Sequence, residues 1–347
     1  MPSLNLPPHV VLDAAALAAI AKRHQVPLTS WERLPEFGIF NAIYRLGERV
    51  ILRVPRQHDR FAAATRREAV AVPAARAAAV RTPQLLAYDE SLDLLPVPYG
   101  LYERVPGATL ESLDRDPADV ADVWRELGCD LARTHHSVPV GGAVAQLDGL
   151  SPQPDPRERA EQRASEGWIT SLEARWLICW LNRLAPAVQE AVPYRFLHGD
   201  SQGTNVMVQT DPLHYAAVID WGSASIGDVA FDFAGVPLRA VPFMLEGYRT
   251  VAVPDGAESI ESRIVWRHLQ LGLGSIARGP VPDRSWGEHP LTTLLEALHF
   301  FAEPPDRRWR EAGTARLAAA RCRRCLGLAG RLGLRSRRGL LRLCGRR

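Results

Sequence analysis

The sequence predicts an α+β chain of two lobes, a small antiparallel β-rich lobe followed by a larger helical one. Three observations carry this. The 347 residues exceed what one compact core usually holds. Short β-rich runs crowd into residues 30–105, with one Ala- and Arg-rich helical stretch among them. Beyond residue 105 long helical patterns take over, interrupted by a pair of short strands within residues 196–220. Hydrophobic residues make up 46% and charged residues 23%, which excludes a mainly disordered or collagen-like chain. No apolar run is long enough to span a bilayer.

Taken in order, an amphipathic helix follows "LNLPP" and runs to about residue 25. "LTSWERLPEF", "FNAIYRL" and "ERVILRVP" read as strands, and "LGER" supplies a hairpin turn in which Gly47 takes positive φ. Phe61 to Val80 is helical, with Pro73 expected to kink or divide it. "TPQLLAYDE" and "VPYGLYERV" are two further strands. Ala118–His136 is a helix ending before Pro139, and residues 158–190 form one or two more. In the latter, Trp168, Trp176 and Trp180 share a helical face and are expected in the core. These readings divide the chain into 1–105, 106–305 and an Arg-rich end, 306–347.

The net charge of +3 conceals an acidic body and a basic end, since fourteen arginines fall within residues 306–347. A basic tail can serve nucleic acid or anionic lipid. Here Lys22 is the one lysine in the chain, so arginine is its general cation and no nucleic-acid or membrane partner is expected. Five cysteines, an odd number, do not form a disulfide framework. Cys129 and Cys179 fall in apolar helical stretches and are read as small core residues. Cys322 and Cys325 lack a second ligand pair for zinc. The first residues carry no basic n-region, so no secretory signal is expected and a cytoplasmic location is the default.

The segment that carries chemistry is "FLHGDSQGTNVMVQTDPLHYAAVIDWGSASIGDVAFDF". Asn205 opens the strand "NVMV", and the returning strand "AAVID" ends at Asp220. A hairpin sets the start of its first strand beside the end of its second, so both residues offer oxygen to one point. An amide oxygen with a carboxylate is hard-ligand chemistry suited to Mg2+, which takes its other ligands from water and phosphate. Asp200, on the loop before this pair, can accept a proton from an attacking hydroxyl. That is the layout of a phosphoryl-transfer site.

H-G-D-x-x-x-x-N followed by I-D-W resembles the aminoglycoside phosphotransferase and choline kinase-like family, which shares the bilobal protein kinase-like fold. The resemblance spans roughly residues 30–300. It implies that Asp200 is the catalytic base, with His198 orienting the catalytic loop, and that Asn205 and Asp220 are metal ligands. It makes Asp232 the acceptor of backbone N–H bonds from that loop, whereas Asp228 reads as a helix N-cap. "EFGIFNAIY" stands where the family has a phosphate-covering loop, although Gly38 is its one glycine. The family's β3 lysine is replaced by Arg53 in "VILRVPR", a competent bidentate phosphate partner. Glu68 in "ATRREAVAV" is the best candidate for its ion-pair mate, although Arg66 and Arg67 are also within its reach on the helix. Apolar alternation does not decide which face Arg53 takes.

"GLYERVPGATL" matches the family's hinge, which implies that backbone groups of Glu103 and Val105 bind the adenine edge. His135 in "LARTHHS" reads as packing or polar support. The activity implied is transfer of the γ-phosphoryl of ATP or GTP, with Mg2+, to a hydroxyl of a small molecule. A nucleotide-binding pseudokinase acting as an interaction module is the alternative. A protein kinase lacks support, because no D-F-G/A-P-E segment is present and Trp221 follows Asp220. A cationic acceptor would call on carboxylates such as Glu158, Glu161, Glu166, Glu246, Asp255, Glu258 and Glu261. "LRVPR" resembles the macrolide-modifying branch, and an endogenous metabolite is equally open. The sequence does not speak to oligomeric state.

Overall fold

The computed structural model describes residues 6–35, 40–279 and 289–313. The chain opens with helix α1 (Ala14–Arg23). It starts there because the Asp13 carboxylate accepts from Ala16 N–H at 2.8 Å and caps the first turn. Next come β1 (Trp31–Arg33), β2 (Asn41–Leu46) and β3 (Val50–Pro55). The β2–β3 turn passes through Gly47 at φ +57°, as the hairpin signal required. Helix α2 (Asp59–Ala77) runs through Pro73 without dividing. The lost backbone bond is outweighed by packing on both sides of it, where Ala71, Val72 and Ala75 are buried. Strands β4 (Leu85–Asp89) and β5 (Tyr99–Glu103) complete an antiparallel sheet of order β1-β2-β3-β5-β4.

The larger lobe contains more strand than one hairpin. The short β6 (Ala108–Thr109) pairs with β8 (Val206–Thr210), which pairs with β9 (Leu213–Val218). The isolated β7 (Arg195–Leu197) pairs with β10 (Ser225–Gly227). Two- and three-residue strands are too short to show a period in sequence. Around them lie α3 (Ala121–Ser137), α4 (Pro156–Ser165), α5 (Ser171–Gln189), α6 (Val241–Val251), α7 (Ile260–Ser275), α8 (Thr292–Ala302) and α9 (Arg307–Ala312).

One core lies between α1 and the five-stranded sheet, around Leu17, Tyr44, Leu52 and Leu101. The other fills the helical lobe and takes in the inner face of α2, so Ala71 and Ala75 join Leu127, Trp221 and Leu245. Helix α2 thus belongs to the N-terminal lobe by sequence and to the larger core by packing.

The tryptophan stripe is corrected. Trp180 is buried, but Trp168 is 51% and Trp176 40% exposed. Trp168 lies in the connection between α4, which ends at Ser165, and α5, which starts at Ser171, so the helical spacing does not apply to it, and Trp176 is on a part of α5 that no neighbour fully covers. Here Trp176 rests against the Trp180 ring at 5.7 Å. Cys129 and Cys179 are half-buried, not core. Cys322, Cys325 and the Arg-rich end beyond residue 313 lie outside the described residues, as does Gly38 with its loop.

Candidate active site

The catalytic-loop sequence starts where β7 ends. Gly199 has φ +82°, and a Cβ there would stand 2.1 Å from the Ser223 carbonyl oxygen, so only glycine fits between His198 and Asp200. His198 is fully buried. The Asp200 N–H donates to its Nδ1 at 3.2 Å, so Nε2 carries the proton and faces the Ile219 carbonyl at 3.0 Å. Burial holds its imidazolium form down. Both ring nitrogens are therefore committed to backbone, and His198 acts by shaping the loop.

Asp232 accepts the His198 N–H at 2.8 Å and the Gly199 N–H at 2.7 Å, the scaffold role implied for it. Burial opposes its ionisation. The His135 hydrogen bond and the nearby imidazoles outweigh that and hold its carboxyl below the usual range. Asp228 caps the following turn by accepting from Ala230 N–H at 2.9 Å.

The Asn205 amide nitrogen donates to the Asp200 carbonyl at 2.8 Å and to its carboxylate at 3.0 Å. That turns the Asn205 amide oxygen away from Asp200. Gln202, unremarked in the sequence reading although it lies inside the motif, donates to the other Asp200 oxygen at 2.9 Å. Burial, reinforced by the negative charge of Asp220, pushes the Asp200 carboxyl up to about 7. The β8–β9 register pairs Val206 with Val218, and Ile219 N–H donates to Asn205 O at 2.9 Å. Asn205 and Asp220 thus flank the same end of one hairpin.

Asp220 has left-handed backbone angles, φ +66° and ψ +69°, which cost a non-glycine residue about 1–3 kcal/mol. What holds it is Arg53. The guanidinium sets Nη2 3.0 Å from Asp220 and Nη1 2.6 Å from Glu68. Burial alone would lower the Arg53 guanidinium, but the charges of Asp220 and Glu68 outweigh it and raise it. Burial pushes the Glu68 carboxyl up to about 7 against the pull of Arg53. The Tyr102 hydroxyl donates to the second Glu68 oxygen. Arg53 therefore takes the face of β3 turned toward α2, and Glu68 pairs with Arg53 in preference to Arg66 or Arg67. Arg67 instead reaches the Gly222 carbonyl at 3.1 Å and Asp148 at 3.2 Å, so α2 is tied to the segment that follows Asp220 and to the loop around Asp148. Tyr102 and Arg67 were missed because their partners are distant in sequence.

The hinge reading is narrowed. Glu103 N–H is already engaged, donating to Gln84 O at 2.8 Å within the sheet. Arg104 N–H donates to Arg49 O at 2.7 Å, and Val105 follows the strand end. Of the carboxylates considered for a cationic acceptor, Glu166, Glu246, Asp255 and Glu261 are paired with Arg163, Arg125, Arg195 and Arg249. Glu158, Glu161 and Glu258 are exposed.

No cluster of three or more His, Cys, Asp or Glu side chains suited to a metal occurs among the described residues. The oxygens at hand are the Asn205 amide and the Asp220 carboxylate, a hard, sparse set that fits Mg2+ completed by phosphate and water.

A β-rich lobe joined to a helical lobe through an Arg–Glu–Asp cluster defines the class of kinase-like phosphotransferases. The profile of the phosphotransferase enzyme family matches residues 32–249, more than half of the chain, and the chain belongs to that family. Among solved structures it is similar to the GDP complex of wild-type aminoglycoside 2'-phosphotransferase-IIIa. Identity is 15% over 76% of this chain and 91% of that one, with a TM-score of 0.55. Macrolide 2'-phosphotransferase MphH from Brachybacterium faecium gives 20% identity, 84% and 99% coverage and a TM-score of 0.51. The streptomycin–ATP–APH(2")-IIa ternary complex gives 15%, 78%, 93% and 0.50. At these identities the likeness is one of fold. No curated protein sequence matches the chain. No helix among the described residues is long and apolar enough to cross a membrane.

Proposed function

We propose that the chain is a small-molecule kinase that transfers the γ-phosphoryl of ATP or GTP to a hydroxyl of an antibiotic or metabolite. The observation that carries this is the pairing of a half-buried Asp200, bound by Asn205 and Gln202, with Asp220 bound by Arg53. Solved relatives in complex with GDP, and with streptomycin and ATP, support a nucleotide donor and a small acceptor. Asp200 accepts the acceptor hydroxyl's proton and aims its oxygen. Its carboxyl, pushed up by burial, suits a base that works near neutral pH. Asn205 and Asp220 would hold Mg2+, which offsets charge on the phosphates. Arg53 adds a second cation from the N-terminal lobe, and the Glu103 carbonyl with the Val105 backbone receives the base. Catalysis is then positioning and electrostatics.

The test is a panel of aminoglycosides, macrolides and hydroxylated metabolites, each incubated with ATP or GTP with and without Mg2+. Nucleotide consumption and acceptor mass are the readouts. An acceptor gaining one phosphate in a Mg2+-dependent manner is expected. Nucleotide binding without turnover on every acceptor would favour the pseudokinase reading.

A further inference from the structure

We propose that Tyr248 is a positioning residue for the catalytic loop, acting through the ring orientation of His135. This rests on reading residues 198–205 as that loop. Tyr248 on α6 is fully buried, and its hydroxyl lies 3.0 Å from His135 Nδ1 and 2.8 Å from His136 Nε2. On its other side His135, also fully buried, places Nε2 2.9 Å from an Asp232 carboxylate oxygen.

The direction of this chain follows from which groups can donate. Asp232 is held as a carboxylate and can only accept, so His135 Nε2 carries a proton. With the ring neutral, His135 Nδ1 is a bare lone pair and needs a donor, which the Tyr248 O–H supplies. The Tyr248 oxygen then accepts from His136 Nε2–H. Every donor meets an acceptor, and no further charge enters the interior, where an extra ion is costly. The chain runs from His136 through Tyr248 and His135 to Asp232.

Its consequence lies at Asp232. The oxygen that accepts from His135 also accepts the His198 N–H, and the other accepts the Gly199 N–H. These bonds fix the left-handed Gly199 and so the direction in which Asp200 leaves the loop. Without the Tyr248 hydroxyl, His135 Nδ1 is left buried without a donor, and the ring is no longer held at the angle at which Nε2–H meets the Asp232 carboxylate. The carboxylate then turns and its grip on the two amides weakens.

Three measurements on the full chain test this. Nitrogen-15 spectra of the histidine rings are expected to show His135 protonated at Nε2 and bare at Nδ1. In Tyr248→Phe, hydrogen exchange at the His198 and Gly199 amides is expected to quicken about tenfold, the scale of one lost hydrogen bond near a charge. Amides of the β8–β9 hairpin serve as reference and are expected to change less than about twofold. With water as acceptor, Mg·ATP hydrolysis is expected to lose kcat while the KM for ATP is unchanged. A wild-type His135 protonated at Nδ1 overturns the proposal, even if Tyr248→Phe fails to fold. So does exchange that quickens equally in the hairpin and the loop. Absence of hydrolysis in both proteins would count against the kinase reading, while the ring and amide signals still decide the role of Tyr248.

Discussion

Arg53 Nη2 stands 3.0 Å from Asp220 Oδ2, so a strand of the small lobe directly holds the carboxylate proposed to bind metal in the large one. The same guanidinium reaches Glu68 at 2.6 Å. Only a forked cation serves two carboxylates through separate nitrogens in one plane. Arg53→Ala is expected to weaken triphosphate binding and slow transfer at least tenfold, because it leaves Glu68 buried without its ion-pair partner. Arg53→Lys is expected to keep the charge, lose one of the two contacts and fall between. Nucleotide titration and steady-state kinetics measure this, and equal, near wild-type values for both variants would remove Arg53 from the site.

Asp200 and Asp220 are expected to fail differently. Asp200→Asn is expected to bind Mg·nucleotide almost normally and to lose at least about a hundredfold in turnover, the scale of a positioned base. Asp220→Ala is expected to lose Mg2+-dependent nucleotide binding itself, because a metal ligand acts in the ground state as well. Calorimetry with an unchanged Mg·ATP affinity in Asp220→Ala would contradict its role.

Helices α3 and α6 meet through two glycines. A Cβ on Gly128 would lie 1.9 Å from the Met244 carbonyl oxygen, and one on Gly247 1.9 Å from that of Arg125. Backbone cannot yield as a side chain tip does, so Gly128→Ala is expected to force the helices apart at about 3 kcal/mol or more. Thermal melting measures the loss. His135 and Tyr248 sit on these helices, so their 3.0 Å contact should lengthen too.

His268 is fully buried on α7, and its Nε2 faces the Phe233 carbonyl at 2.8 Å. Burial lowers its pKa from 6.5 to about 4. The unfolded chain therefore takes up a proton that the folded chain refuses. Its contribution is complete above pH 6.5, declines as pH falls towards 4, and levels off once both states are protonated. By about pH 5 the loss is roughly 2 kcal/mol. His268→Gln keeps a donor without the titration. Its melting temperature is expected to fall less between about pH 7.5 and pH 5 than that of the wild type, and parallel curves would contradict the assignment.

The sequence was most legible where function compresses geometry into a few neighbouring residues. Asp200, Asn205 and Asp220 could be placed because a five-residue interval and one hairpin bring them together whatever surrounds them. Asp232 as a backbone acceptor and Asp228 as a cap followed from resemblance and from local chemistry. The side of the sheet taken by Arg53 was not legible, because β3 has buried neighbours on both faces, with Leu52 and Val54 on one and Arg53 against α2 on the other.

By itself the sequence determined the lobe order, most of the strand and helix positions and the composition of the catalytic loop, since these depend on period, turn chemistry and short spacing. Tertiary structure alone decided that Arg53 bridges Glu68 and Asp220, that Arg67 holds the Gly222 carbonyl and that Tyr248 stands between two histidines. It also decided that Trp168 and Trp176 stay exposed. The partners in these contacts lie up to 167 residues apart, Arg53 to Asp220 being the longest link. Local pattern records which face of an element is apolar, whereas the identity of what packs on that face is set by the whole chain closing on itself.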